Sequence, residues 1–289
     1  MEGRELLIVG AGGQLGKALV ERFPEARAVG HDALDITDAK SVAKFDWAGV
    51  KVILNAAAYT KVDMAETAEG RAAAWATNVE GTARLAKAAL DHDLTLVQIS
   101  TDYVFDGAQK VHTEDEPLTP LGVYGQTKAA ADVVAGLVPK HYLLRTSWVV
   151  GDGPNFVRTM ISLADRNISP KVVDDQIGRL TFASTLARTI GALLEQGAAF
   201  GTYNVSDSGE PASWAEVTRT IFKELGRDDL TVTDVSTAEY FKDKPQAAPR
   251  PLESTLDLAK IEATGVKLPD WRTGLHDYIK QEQAKEARS

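Results

Sequence analysis

Cysteine is absent from the 289-residue chain, which removes disulfides, thiolate metal sites and thiol nucleophiles from consideration at once. Long apolar runs are missing as well, with nothing near the roughly 18 residues needed to span a bilayer. The stretch LLIVGAG near the start is too short for a secretory core followed by a cleavage site. It reads as a first strand, and the expected location is cytoplasmic. Basic charge is in deficit: 32 Lys and Arg stand against 41 Asp and Glu, for a formal net charge of −9. That sign argues against nucleic acid or an anionic membrane as a partner. It leaves room for an anionic small ligand held by a few backbone amides and one or two cations in a cleft. The histidines, His31, His92, His112, His141 and His276, are scattered without metal-ligand spacing. There is no internal repeat and no low-complexity tract.

What is present is an alternation. The apolar runs ELLIVG, ARAVG, KVILNAAA, LTLVQIST and HYLLRTSWVVG are separated by helical patterns, among them an Ala-rich helix from about Glu66 to Leu90. Continuous β-branched runs between helices imply parallel strands buried on both faces. The expected fold is α/β, a doubly wound, Rossmann-like parallel sheet with a smaller C-terminal substrate lobe. Residues 1–150 form the dinucleotide-binding domain in this reading, and 151–289 mainly the substrate lobe, with a segment at about 175–206 returning to the first. In the second part KVVDDQIG and GTYNVSD read as short strands, SWAEVTRTIFKELG as a helix, QAAPRPLEST as an irregular loop, and DWRTGLHDYIKQEQAKEARS as a final helix with a frayed polar end.

IVGAGGQLG follows a strand and opens a helix, with Gly10, Gly13 and Gly16 spaced three apart. In that context the glycines permit a tight turn and close backbone approach, and the helix start at Gln14 and Leu15 faces a pyrophosphate. A plain glycine-rich turn is the alternative. Asp32 lies where an acidic group binds an adenosine ribose and favours NAD, or is a solvated turn carboxylate. Asp35 and Ile36 are candidates to flank the adenine. Ala56, Ala57 and Ala58 are small enough for a cofactor to lie along the third strand's end. Asn78, in the long helix, is either buried with a partner or an exposed polar residue.

Two tyrosine–lysine pairs share the same helical spacing, Tyr124 with Lys128 and Tyr240 with Lys244. The first follows a glycine loop and a strand ending in Ser100, Thr101, Asp102 and Tyr103; the second does not. Ketone reduction needs an acid that protonates the oxygen as hydride arrives, and a tyrosine near its reference pKa of about 10 is too weak an acid unless assisted. A lysine one turn away, with the positive nicotinamide of the oxidised cofactor, would lower that pKa, and the Thr101 hydroxyl would hold the carbonyl oxygen.

The stretches GAGGQLG, NAAAYTKVDMAE, STDYVFDG, YGQTKAAAD, LRTSWVVG, NFVRTM and DDQIGRLT together resemble the nucleotide-sugar reductases of the extended short-chain dehydrogenase/reductase family over nearly the whole chain. The resemblance implies reduction of the C4 ketone of dTDP-4-dehydro-6-deoxy-L-mannose to dTDP-L-rhamnose, with NADPH preferred and NADH possible. It implies Thr101, Tyr124 and Lys128 as the catalytic set, the last two also touching the cofactor. Thr101, Asp102, Tyr103, Trp148, Asn155 and Arg250 would meet the substrate, and a 3,5-epimerase would supply it. Leu180 replaces a common proline, which predicts a looser loop. Ala18 stands where some relatives carry a metal-binding glutamate, which predicts no metal and a monomer. Trp47, Trp75 and Trp214 read as packing residues. The rival readings are another nucleotide-sugar 4-ketoreductase, an epimerase or dehydratase of the same fold, and a non-catalytic regulatory subunit.

Overall fold

The computed structural model describes residues 3–286. The chain runs through β1 (Leu6–Val9), α1 (Gln14–Arg22), β2 (Arg27–Val29), α2 (Ala39–Lys44), β3 (Val52–Asn55), α3 (Ala68–Ala74), α4 (Thr82–Asp91), β4 (Thr95–Thr101), α5 (Val123–Ala135) and β5 (His141–Thr146). Then come β6 (Val149–Val150), α6 (Phe156–Asp165), β7 (Lys171–Val173), β8 (Ile177–Gly178), β9 (Thr181–Phe182), α7 (Ala183–Gln196) and β10 (Gly201–Asn204). The remainder is β11 (Ala212–Ser213), α8 (Trp214–Glu224), β12 (Thr233–Val235), α9 (Thr237–Phe241), α10 (Ala259–Glu262) and α11 (Trp271–Glu286). The polar C-terminal end, expected to fray, lies in part outside the described residues.

Six parallel strands form the central sheet in the order β10-β5-β4-β3-β1-β2. The strands are apolar on both sides because helices cover both. Leu6, Ile8, Leu54 and Leu144 pack towards Leu15 and Leu19 of α1 and Leu186 and Ile190 of α7. Their neighbours Leu7, Val9, Ile53 and Leu143 pack towards Val42 of α2 and Leu85 and Ala89 of α4. That alternation is the doubly wound arrangement. Removing a fully buried leucine such as Leu7 or Leu144 costs about 2–5 kcal/mol. A second core, built on Val157, Leu180, Ile221, Trp271 and Leu275, belongs to the later part of the chain.

Three expectations change. The Ala-rich helix is not regular throughout: its backbone widens into a π turn at Trp75–Gly81 between α3 and α4. The cause is Asn78, which is buried and accepts from the Tyr59 amide at 2.8 Å while donating to the Tyr59 carbonyl and to Thr127 Oγ1 at 3.2 and 2.9 Å. Likewise HYLLRTSWVVG is two strands, because Trp148 adopts φ +47° and turns β6 away from the sheet to pair with β9. Leu180 is fully buried, so the loop carrying it is anchored in the second core rather than loosened. No helix among the described residues is long and apolar enough to cross a membrane.

Candidate active site

Strand order reverses between β1 and β3, so a crevice opens beyond their carboxyl ends. The three glycines that line it are glycines for different reasons. Gly10 has φ +80°, and a Cβ there would lie 2.6 Å from the Ala57 nitrogen. A Cβ at Gly16 would sit 2.1 Å from the Gly10 carbonyl oxygen. The turn itself demands these two. Gly13 is exposed, and a Cβ there would meet only the Gly10 oxygen, at 3.5 Å. Folding does not require glycine at that position, whereas a ligand laid against the backbone does. Gly13 is also the N-cap of α1 and supplies no side chain to the helix's first amides, which suits an anion. Ala56 and Ala57 are half-buried and Ala58 is exposed. These features fit a dinucleotide.

Other expected cofactor residues are partly committed elsewhere. Gln14 Oε1 accepts from the Gly151 amide at 2.8 Å, and the Leu15 side chain is in the core, so each has only its backbone to offer. Asp35 accepts from the Thr37 hydroxyl and amide at 2.7 and 2.8 Å, and the hydroxyl bond chiefly holds its carboxyl below the usual range. Ile36 lies against Gly81, where a Cβ would come within 2.7 Å of it. Asp32 is exposed in the turn after β2.

Thr101, at the end of β4, and Tyr124, in the first turn of α5, are brought together by a close approach of helix and strand. A Cβ at Gly125 would lie 2.2 Å from the Tyr103 carbonyl oxygen, so glycine lets α5 close over the Thr101 turn. Glu66 Oε1 fixes the start of α5 by accepting from the Val123 amide at 2.8 Å. The Thr101 hydroxyl is near enough to Tyr124 to favour its phenolate. Lys128, one turn on and 3% exposed, donates to the Ile99 carbonyl at 2.6 Å. Behind it Arg145 Nε donates to Asp132 Oδ2 at 3.0 Å, both buried.

Burial pushes the Tyr124 phenol up, and the Asp102 charge adds to that, while Thr101 opposes it. The Lys128 ammonium is itself pushed down to about 8 by burial, with Asp132 opposing. Asp102, expected to meet the substrate, is 2% exposed, with its carboxyl accepting from the Thr101 hydroxyl at 2.9 Å. Burial raises it to about 6, against the Ser254 and Thr101 hydroxyls.

Beside Tyr103 a cleft of about 260 Å³ is lined by Gln176, Trp214, Tyr240, Phe241 and Arg250. Arg250 donates to Asp63 and to the Ala248 carbonyl at 2.8 and 2.6 Å and lies over the Phe241 ring. Trp148 stacks on Trp214 with centroids 3.6 Å apart, which holds its left-handed backbone. Asn155 is already engaged at both ends: it caps α6 through the Arg158 amide and donates to the Gly151 and Gly153 carbonyls and to Tyr278 Oη. Trp214, read as packing, does pack, on Trp148 and Phe156, and it also lines this cleft; the Tyr240–Phe241 pair at the cleft was not expected from the sequence. Tyr240 holds Lys244 over its ring face at 3.9 Å, a cation–π contact and not a proton-delivery pair. An aromatic doublet among charged residues was its one signal.

A parallel sheet with an open glycine loop at its switch point and a hydroxyl, a tyrosine and a lysine beside it defines a nucleotide-cofactor oxidoreductase. A family model described as RmlD substrate binding domain matches residues 4–284. A dTDP-4-dehydrorhamnose reductase of Aggregatibacter actinomycetemcomitans is 38% identical over 93% of this chain and 96% of its own. A probable dTDP-4,6-dihydroxy-2-methyloxan-3-one 4-ketoreductase of Streptomyces antibioticus is 37% identical over 94% and 93%. The solved dTDP-4-dehydrorhamnose reductase of Bacillus anthracis, in complex with NADP, superposes with a TM-score of 0.87 at 34% identity, covering 96% of this chain and 98% of that one. The chain belongs to the dTDP-4-dehydrorhamnose reductase family, within the oxidoreductases.

Proposed function

We propose that this protein reduces the C4 ketone of dTDP-4-dehydro-6-deoxy-L-mannose to dTDP-L-rhamnose. The observation that carries the reading is the gathering of Thr101, Tyr124 and Lys128 beside a glycine loop open at Gly13. NADPH is the preferred cofactor, supported by the NADP complex of the Bacillus relative, and NADH is a second choice. When bound, the nicotinamide supplies hydride to the sugar C4. Tyr124 gives its hydroxyl proton to the oxygen that becomes the C4 hydroxyl, Thr101 holds that oxygen, and Lys128 favours the phenolate left behind. Tyr103 and the Trp148–Trp214 stack bound the sugar, and Arg250 offers a cation towards the diphosphate.

Residues 1–150 serve the cofactor and 151–289 mainly the substrate, with α7 and β10 working for the first part; the packing of α7 on α1 and the pairing of β10 with β5 support that division. The protein acts as a metal-free monomer in the cytoplasm, on a ketosugar supplied by a 3,5-epimerase. A second reading is favoured by the Streptomyces relative: a 4-ketoreductase for a different dTDP-sugar. NADPH oxidation with dTDP-4-dehydro-6-deoxyglucose, with and without a 3,5-epimerase, separates them. Oxidation only with the epimerase is expected. Oxidation without it moves the assignment to another sugar.

A further inference from the structure

Thr101 holds a ketone oxygen only if its hydroxyl hydrogen is free to point there, and in the structure that hydrogen is used. Thr101 Oγ1 donates to Asp102 Oδ1 at 2.9 Å. Both residues are buried, so water does not compete for the contact. A carboxylate is a charge-assisted acceptor and claims the hydrogen ahead of a neutral ketone. A neutral carboxyl reverses the arrangement: it carries a hydrogen of its own, donates it to Thr101 Oγ1, and frees the threonine's hydrogen.

We propose that Asp102 is the positioning residue for Thr101, tying its hydroxyl back as a carboxylate and turning it out to the substrate ketone as a neutral acid. The inference rests on the reductase reading. Burial of Asp102 favours the neutral form, raising it to about 6. The groups around it are of both kinds. Tyr103 follows it in the chain, and Tyr124 faces it from α5 with Lys128 and Asp132 further along that helix. From the loop after Phe105 comes His112, bound to Glu116 at 2.9 Å and to the Glu253 carbonyl at 3.1 Å, and beside Glu253 stands Ser254. His112 and the two hydroxyls favour the charged form, and burial outweighs them. Asp102 is thereby poised to titrate close to neutrality without touching substrate.

The test has two arms. In the first, kcat/KM for the ketosugar is measured from pH 5 to 8. The wild type is expected to step down through a midpoint near 6, by up to tenfold per pH unit, and Thr101→Ser to keep the step. Asp102→Asn, which cannot titrate, is expected to lose it at any overall rate. In the second arm the carboxyl ¹³C resonance that disappears in Asp102→Asn is titrated in the cofactor-free protein. Its midpoint is expected near 6 and, because the Thr101 hydroxyl favours the charged form, higher in Thr101→Val. Persistence of the step in Asp102→Asn, or an unmoved midpoint in Thr101→Val, overturns the proposal. A wild type that does not consume the ketosugar overturns the reductase reading instead, and the second arm still decides whether Asp102 and Thr101 are coupled.

Discussion

In the proposed reaction Tyr124 has to lose a proton from a place that discourages charge. Burial and the Asp102 carboxylate both raise its phenol, so it is a poor acid towards water. In that proposed reaction the developing C4 oxyanion is a stronger base than water, and the Lys128 ammonium one turn away would stabilise the phenolate as it forms. Tyr124→Phe removes the proton and keeps the ring that packs edge-on against Tyr103. We expect turnover to fall about 10²–10⁴-fold with cofactor affinity nearly unchanged; steady-state rates and a cofactor titration check both. At this scale the sequence is legible where residues keep an order along the chain, as Thr101, Tyr124 and Lys128 do. It is illegible where the decisive fact is a contact between distant segments. Asp102 sits next to Thr101 in the chain, and nothing in that adjacency says its carboxyl turns inward. Trp214 starts an ordinary amphipathic helix, and only the fold lays it on Trp148.

The glycine loop is an element in which folding and binding requirements separate. Gly10 and Gly16 are pinned by the chain's own backbone, and Gly13 is not. Gly16→Ala is therefore expected to lower the melting temperature and to weaken cofactor binding. Gly13→Ala is expected to leave the melting temperature within about 1–2 °C, because surface changes away from such packing fall within about 0.5 kcal/mol. It should still weaken NADPH binding about tenfold or more, and thermal melting with and without NADPH checks both variants. Equal binding by Gly13→Ala and the wild type would mean that no ligand approaches that amide. The elements themselves are written plainly in LLIV and VILN, whose unbroken apolar runs demand cover on both faces. The π turn at Trp75–Gly81 is not, since helix-forming residues flank it. Its cause, Asn78 reaching Tyr59 and Thr127, exists only after β3 and α5 have met.

Across the whole molecule the parallel sheet and the later core meet at a buried carboxyl. Asp207, just past β10, is fully buried, accepts from the Phe182 amide at 3.4 Å, and lies against Gly274 of α11. Burial raises it to about 7, with the Thr185 hydroxyl opposing. The native state therefore holds a proton that the unfolded chain releases near 3.8, so stability falls as pH rises from about 4 to 7 and the full penalty stands above 7. Asp207→Asn should raise the melting temperature by several degrees at pH 8, for a gain of at most about 4 kcal/mol, and leave it nearly unchanged at pH 4. Thermal denaturation at the two pH values checks this; destabilisation at pH 8 would mean the charge is needed. In the proposed reaction hydride goes from the cofactor to the C4 of a dTDP-sugar with Tyr124 as acid. The most direct measurement is NMR of the product formed with NADPH deuterated at the transferred position, in the presence of the 3,5-epimerase. Deuterium on C4 of dTDP-L-rhamnose, with product formation depressed in Tyr124→Phe, is the predicted result. Product without deuterium at C4, or an undiminished rate in Tyr124→Phe, would contradict it.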